Sequence, residues 1–304
     1  MDLNLNLTSM DPIVIRNFLI WIALALGSTV FLGAVPSWMR CGAKRADPSA
    51  AAALFSLILA GSCAALVVTA DTWSQLLLLT NTQYAYLAVC GLLSALTWLC
   101  LFTALTGGRV IKVFPVYLLW YLLTLVASHF LFGAPMGLWK ICCMIVVLLG
   151  VVFIESGTKK IGGQLWFIYT VVAALATVGI QLIQSAFFSD VLDDSLFLTG
   201  RAAVACVILW LFVFIRGKQR TLGDLSARGW IGLSFAAFSL AASYACDYYA
   251  ALRGEISYLA PISILSFAFV MLFARMFQKE KQSGSIVFGS LLVLLGLFGI
   301  LMGL

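Results

Sequence analysis

One carboxylate stands inside a long apolar run: Asp247, three residues after Tyr244 and directly before Tyr248. It lies about four residues from the end of that run, roughly 6 Å deep at about 1.5 Å per helical residue. Ionisable groups in hydrocarbon are costly and mark substrate or ion pathways by default. A carboxylate here can exchange a proton for a cationic substrate or act as a fixed counter-charge. The plain alternative is a wet, near-interface aspartate paired with Arg253. Aromatic side chains supply the second chemistry. Trp21, Trp98, Tyr117, Trp120, Tyr121, Tyr244 and Tyr248 fall within or near apolar runs. An aromatic cavity with one carboxylate suits an organic cation, although Trp and Tyr also populate interface belts. Gln181 and Gln184, with Thr177, make a polar stripe at helical spacing. That stripe either binds substrate or bonds a neighbouring helix.

The remaining candidates concern coupling and gating. His129 is the only histidine and stands near the end of an apolar run; proton sensing competes with a hydrogen-bonded structural role. Arg253 and Glu255 flank Gly254, as an interfacial pair or a gate. Glu155 is expected to pair with Lys159 at i,i+4. Lys112 and Arg109 are expected to snorkel to the interface. Arg201 is expected to snorkel on the opposite side or to pair with Asp194. The eight cysteines form neither a CxxC pair nor a cluster with histidine, so they read as small apolar filler. No metal or cofactor is expected, and no Walker loop, nucleophile elbow or HExxH is present.

Such residues need a scaffold, and composition names it. Apolar residues make up 63% of the 304 and charged residues only 10%, against about 25% charged in soluble domains. The chain reads as a polytopic membrane protein. Its net charge of +6 does not suggest nucleic acid, because the basic residues sit in short loops between apolar runs. Ten spans of roughly 20 residues fit: 14–36, 49–70, 83–105, 110–132, 136–156, 164–187, 196–215, 229–251, 256–277 and 284–303. Residues 75–83 are ambiguous between span and interface. Residues 1–13 read as a short polar tail, with no cleaved signal peptide.

The second half repeats the first. A shift of 146 residues places Trp98, Ala104, Gly108, Pro115 and Gly150 on Tyr244, Ala250, Gly254, Pro261 and Gly296. Each unit, 14–158 and 159–304, holds five spans. Five is odd, so the second unit must run through the membrane inverted. One site between the units can then be exposed alternately to either face. Most Lys and Arg fall in the loops joining spans 1–2, 3–4, 5–6, 7–8 and 9–10. The positive-inside rule therefore places both termini outside, in a cell (inner) membrane.

The segment Gly91–Leu105 is a small-residue helix ending in Phe102-Thr103-Ala104-Leu105. It resembles the third span of the EamA-type branch of the drug/metabolite transporter superfamily. Lys112-Val113-Phe114-Pro115-Val116 resembles the start of that branch's fourth span, and Gly27-Ser28 sits where Trp-Gly-Ser often stands in its first. The resemblance covers about residues 14–304. It implies an all-α fold of ten transmembrane helices in two inverted five-helix repeats. It also implies transport of a small metabolite or drug, by proton coupling, exchange or facilitation. Three departures stand out. The Gly-Glu pair that often ends span four reads Gly133-Ala134 here, while the second repeat keeps Glu280. No Asp-Lys pair follows Pro115. Many relatives also place their termini in the cytoplasm.

The expectation is thus a secondary transporter of a small organic solute, cationic if Asp247 is its counter-charge, and not an enzyme. The substrate-binding candidates are Trp98, Tyr117, Tyr121, Gln181, Tyr244, Asp247 and Tyr248; Asp247, His129, Arg253 and Glu255 are the coupling or gating candidates. A lipid-linked substrate or a non-transporting scaffold role remain the alternatives. A monomer suffices, because one chain already contains both orientations; a homodimer stays open.

Overall fold

The computed structural model describes residues 12–44, 46–156, 165–188, 192, 194–223, 225–253, 262–280 and 282–302. Eleven α-helices are seen among them: α1 (Pro12–Ala43), α2 (Pro48–Ala70), α3 (Asn81–Gly107), α4 (Val110–Tyr117), α5 (Leu119–Phe132), α6 (Leu138–Ser156), α7 (Leu165–Phe187), α8 (Asp194–Ile215), α9 (Ala227–Ala251), α10 (Ser266–Gln278) and α11 (Gly284–Met302). Among the described residues, nine stretches have the length and apolar composition to cross a membrane, α4 and α5 counting as one; α10 is a shorter apolar helix. The ambiguous 75–83 region holds a 3₁₀ turn over Trp73–Leu78, none of it buried.

Local chemistry explains the helix ends. Thr80 and Gln83 form a reciprocal capping box at the start of α3. Ser226 caps α9 through the Gly229 amide. Asp47 caps α2, accepting from the Ser49 amide at 3.0 Å and from the Ser49 hydroxyl, with Pro48 at the first position. Burial pushes the Asp47 carboxyl up, but the Ser49 bonds and the Lys218 ammonium at 3.6 Å outweigh it and hold it below its ordinary value. A lowered carboxylate stabilises the fold above the ordinary carboxylate range, and that contribution is lost as pH falls through the lowered value. Asp47→Ala is expected to cost about 1 kcal/mol, read as a drop in melting temperature in detergent at neutral pH. Near pH 3 the gap from wild type should narrow.

Span four is not one helix. It breaks at Leu118, three residues after Pro115, where the chain turns as Tyr121 N–H donates to the Leu118 carbonyl at 3.1 Å. Proline has no N–H to give the preceding turn. Shifted by 146 residues, the break falls on Ile264, and a turn occurs there too: Leu265 N–H donates to the Ile262 carbonyl at 2.9 Å. Pro261 and the tight turn expected at Gly254 lie outside the described residues.

The helix contacts obey a two-fold exchange of repeats. α1 packs on α9, and the equivalent pair α3 and α7 also pack; α3 on α8 matches α9 on α2. The self-equivalent pairs α2–α8 and α6–α11 pack directly. At α6–α11, a Cβ on Gly150 would meet the Gly289 carbonyl at 2.6 Å, and one on Gly296 would meet the Cys143 carbonyl at 2.9 Å. Numbers rise along one helix as they fall along the other, so equivalent helices run antiparallel. That is the inversion the odd span count demands, built on small residues that admit close approach.

The basic loops meet on one face. Lys218 lies 3.6 Å from Asp47, and Lys44 donates to Gln278 at 3.2 Å. The Arg40 guanidinium, at the end of α1, pairs with Glu280 just beyond α10. Lys112 does not snorkel outward. It is buried, 3.6 Å from Glu155 and over the Trp166 ring at 5.7 Å. Lys159, the expected partner of Glu155, lies outside the described residues.

Candidate functional site: a central cavity

A cavity of about 320 Å³ opens between the two repeats. Ligand pockets run about 300–1,000 Å³, so it has the size of a small solute. Its walls come from α1 to α5 in the first repeat and from α7 to α9 and the Ser263–Ser266 turn in the second.

Six of the seven predicted substrate-binding residues converge there: Trp98, Tyr117, Tyr121, Gln181, Tyr244 and Asp247. Each is held by a neighbour or shares a wall with one. Trp98 stands edge-on to Phe55 at 5.6 Å. Tyr117 shares a 3.1 Å hydrogen bond with Thr177, joining α4 to α7 across the repeats. Tyr121 stacks on Trp120 at 3.7 Å. Ser28 on α1 bonds Ser243 on α9 at 3.0 Å and also reaches Asp247. The i−3 relation places Tyr244 and Asp247 on one helical face.

The seventh, Tyr248, does not line the cavity; it stands edge-on to Tyr249 at 5.3 Å. One residue is about 100° of helical rotation, so the neighbour of a cavity-facing aspartate turns away. Of the coupling and gating candidates other than Asp247, His129 and Arg253 are not brought to the cavity either. His129 is exposed at the end of α5, its Nδ1 bonded to the Ala134 carbonyl at 2.7 Å. Arg253 is exposed and donates to the Tyr249 carbonyl at 3.1 Å. Glu255 lies outside the described residues.

Arg201 is the residue that sequence reasoning misplaced. Its guanidinium lines the cavity, donating to Tyr244 Oη at 3.3 Å and to Ser94 Oγ at 3.4 Å. Its Nε is buried without a hydrogen-bond partner. Asp194, the expected partner, instead accepts from Gln184 at 2.7 Å. The signal was available: an arginine followed by Ala202 and Ala203, more than one turn inside an apolar run, falls under the same rule that singled out Asp247.

Beside the cavity's basic-face end, marked by Met39 and Val113, lies a compact polar cluster. The Glu280 carboxylate is buried at 7% exposure and pairs with Arg40. It also accepts the backbone N–H groups of Val110 and Ile111 at 3.1 Å each. Arg109, at the cap position of α4, makes no side-chain cap. Glu280 therefore supplies the cap from the other repeat and joins the ends of α1, α4 and α10.

Two repeats of apolar helices around a solute-sized cavity define a multi-pass membrane transporter. The model of the EamA-like transporter family matches residues 19–156 and again 164–302. The chain belongs to that family, and through it to the drug/metabolite transporter superfamily. No curated protein matches the chain. A solved structure described as "Crystal structure of protein" shares the fold, with a TM-score of 0.60 at 16% identity, covering 94% of this chain and 97% of that one.

Proposed function

We propose that the protein is a secondary transporter that carries a small organic solute through the central cavity by alternating access, each repeat closing one face in turn. The observation that carries this reading is a solute-sized cavity walled by both members of an inverted repeat. A site on the pseudo-two-fold axis can be reached from either face when the repeats exchange conformations. The binding residues in this reading are Trp98, Tyr117, Tyr121, Gln181, Tyr244 and Asp247, now joined by Arg201.

The test uses a variant whose eight cysteines are replaced by serine, with single cysteines placed at Met39 and, separately, at Ser263. Both positions line the cavity, at opposite ends in the chain direction of their helices. Impermeant maleimide applied to either face of oriented vesicles should label the two positions reciprocally. Conditions that raise labelling at one should lower it at the other. Labelling of both from one face under every condition would reject alternating access. In proteoliposomes, Trp98→Ala and Tyr244→Ala should each cut uptake at least tenfold with expression retained. Normal uptake in both would overturn the assignment of this cavity as the transport site.

A further inference from the structure

We infer that the loop joining α8 to α9 is a binding site for an anionic phospholipid, its phosphate on Arg216, Arg220 and Arg228 and an acyl chain along the outer stripe of α8. Four of the 18 Lys and Arg stand between Arg216 and Arg228. The segment is a fixed platform. Gly217, at φ 63°, turns the chain at the end of α8. The 3₁₀ turn Lys218–Leu222 follows and packs on α2: Lys218 pairs with Asp47 at 3.6 Å, and Leu222 lies against the central core. Both α8 and α9 pack on α2, so the short loop returns the chain and Arg228, in the first turn of α9, stands across it from Arg216. Lys218 has its counter-charge in Asp47. Arg216, Arg220 and Arg228 are exposed, and among the described residues none of them forms an ion pair within 4.0 Å. Asp224 lies outside the described residues.

Two features point to a lipid. The Arg216 guanidinium folds back over the Phe212 ring at 5.1 Å, one turn earlier on α8. It is thereby held at the helix end, the depth of bilayer phosphates, with a planar fork of donors that matches a phosphate. Beside it, Val207, Leu211 and Ile215 are exposed at four-residue spacing, Ile215 at 85%. They make one apolar stripe that ends where the arginines begin. A soluble anion would meet the arginines and leave the stripe bare; a phospholipid covers both. The charges are also not required by the turn. Shifted by 146 residues, Lys218–Leu222 falls on Thr72–Leu76, and the first repeat has its own 3₁₀ turn there, Trp73–Leu78, on the opposite face. That copy carries no Lys or Arg and presents Trp73, Leu77 and Leu78 instead. The duplication kept the turn and changed its chemistry. Basic clusters flanking a span attract anionic lipid, and charge sorting between faces does not by itself explain an arginine pinned above an apolar stripe.

The experiment titrates the full-length protein in mild detergent with dioleoylphosphatidylglycerol, dioleoylphosphatidylcholine or sn-glycerol 3-phosphate. Binding is read from thermal stabilisation, which rises with ligand concentration over Kd, and is located by amide hydrogen exchange. Phosphatidylglycerol should stabilise wild type at concentrations about tenfold below those that phosphatidylcholine needs. Glycerol 3-phosphate, the headgroup chemistry without chains, should not match it. Phosphatidylglycerol should also slow exchange at residues 216–223 and leave residues 275–280 unchanged. Arg216→Gln combined with Arg220→Gln should remove the preference for phosphatidylglycerol. Arg275→Gln combined with Lys279→Gln makes the same charge change at exposed residues of the same face and should keep it. Equal stabilisation by the two phospholipids would overturn the inference, and so would glycerol 3-phosphate acting as well as phosphatidylglycerol. Unchanged exchange at residues 216–223 would place the lipid elsewhere and reject the site. Loss of the preference in both double variants would reduce the effect to net charge and reject it too. The wild-type titrations and the exchange data decide the matter even where a variant fails to fold.

Discussion

Glu280→Ala should cost about 3–5 kcal/mol of folded stability, the range for removing one member of a buried charge pair. The carboxylate is buried and holds three partners on two other elements: the Arg40 guanidinium on α1 and the Val110 and Ile111 amides of α4. Its removal leaves Arg40 in a site where its Nε already lacks a partner. It also leaves two amides at the positive end of a helix without an acceptor. Glu280→Gln keeps the shape and one acceptor oxygen but loses the charge, so its cost should be smaller. The measurement is the melting temperature in detergent, wild type against both variants, with proteoliposome uptake alongside. The 146-residue equivalent of Glu280 is Ala134, so the two faces are not fastened alike. Loosening this cluster should raise maleimide labelling of a cysteine at Met39 from the basic face, one residue from Arg40. Melting temperatures that match wild type in both variants would show that the cluster fastens nothing.

The repeat, the spans and the inversion were legible because each is a periodic or counted property of the chain. Hydropathy over about 20 residues finds spans, and the register of Trp98 with Tyr244 and Gly150 with Gly296 finds the duplication. Boundaries were less legible. Span one was expected to end at Pro36, yet α1 runs on to Ala43 with that proline inside it. Trp38 explains part of this, since it stacks on Phe235 of α9 and packs against Phe277 of α10. Tertiary packing thus carries the helix past a local breaker. The break at Leu118 was invisible to hydropathy because the run is apolar on both sides of it. At the site, single-residue rules found Asp247 and missed Arg201. Yet the rule covers both: Arg201 stands five residues past Leu196, where its apolar span begins, about as deep as Asp247 lies from the end of its own span. The resemblance picked out Glu280 as a retained glutamate, but its role as a cap could not be read, because its partners Val110 and Arg40 lie in the other repeat. No local spacing reports such a contact.

Gly150→Ala should show whether the inverted repeats depend on the α6–α11 contact. A Cβ at Gly150 would lie 2.6 Å from the Gly289 carbonyl and 2.8 Å from the Val293 nitrogen. Both are backbone atoms of the facing helix, so no side chain can swing aside; the helices must part. Apolar surface gives little drive between helices in lipid, and association depends on close packing. Overpacking of this kind costs about 1–3 kcal/mol, and a valine at the same place should abolish folded yield. Gly296→Ala meets the Cys143 carbonyl at 2.9 Å and the Val147 nitrogen at 3.0 Å, so its cost should be somewhat smaller. Gly61→Ala is the control, because nothing lies within 4 Å of its Cβ position on α2. Alanine there gains up to about 1 kcal/mol of helix propensity over glycine. The readout is the melting temperature of each variant and its yield of monodisperse protein. The double variant should cost less than the two singles together, since one separation of the helices relieves both clashes. If Gly150→Ala and Gly296→Ala melt with Gly61→Ala, the close approach is not what holds α6 to α11. If only one of them is impaired, the contact is not two-fold, and the symmetry on which the proposed alternating access rests loses its firmest structural support.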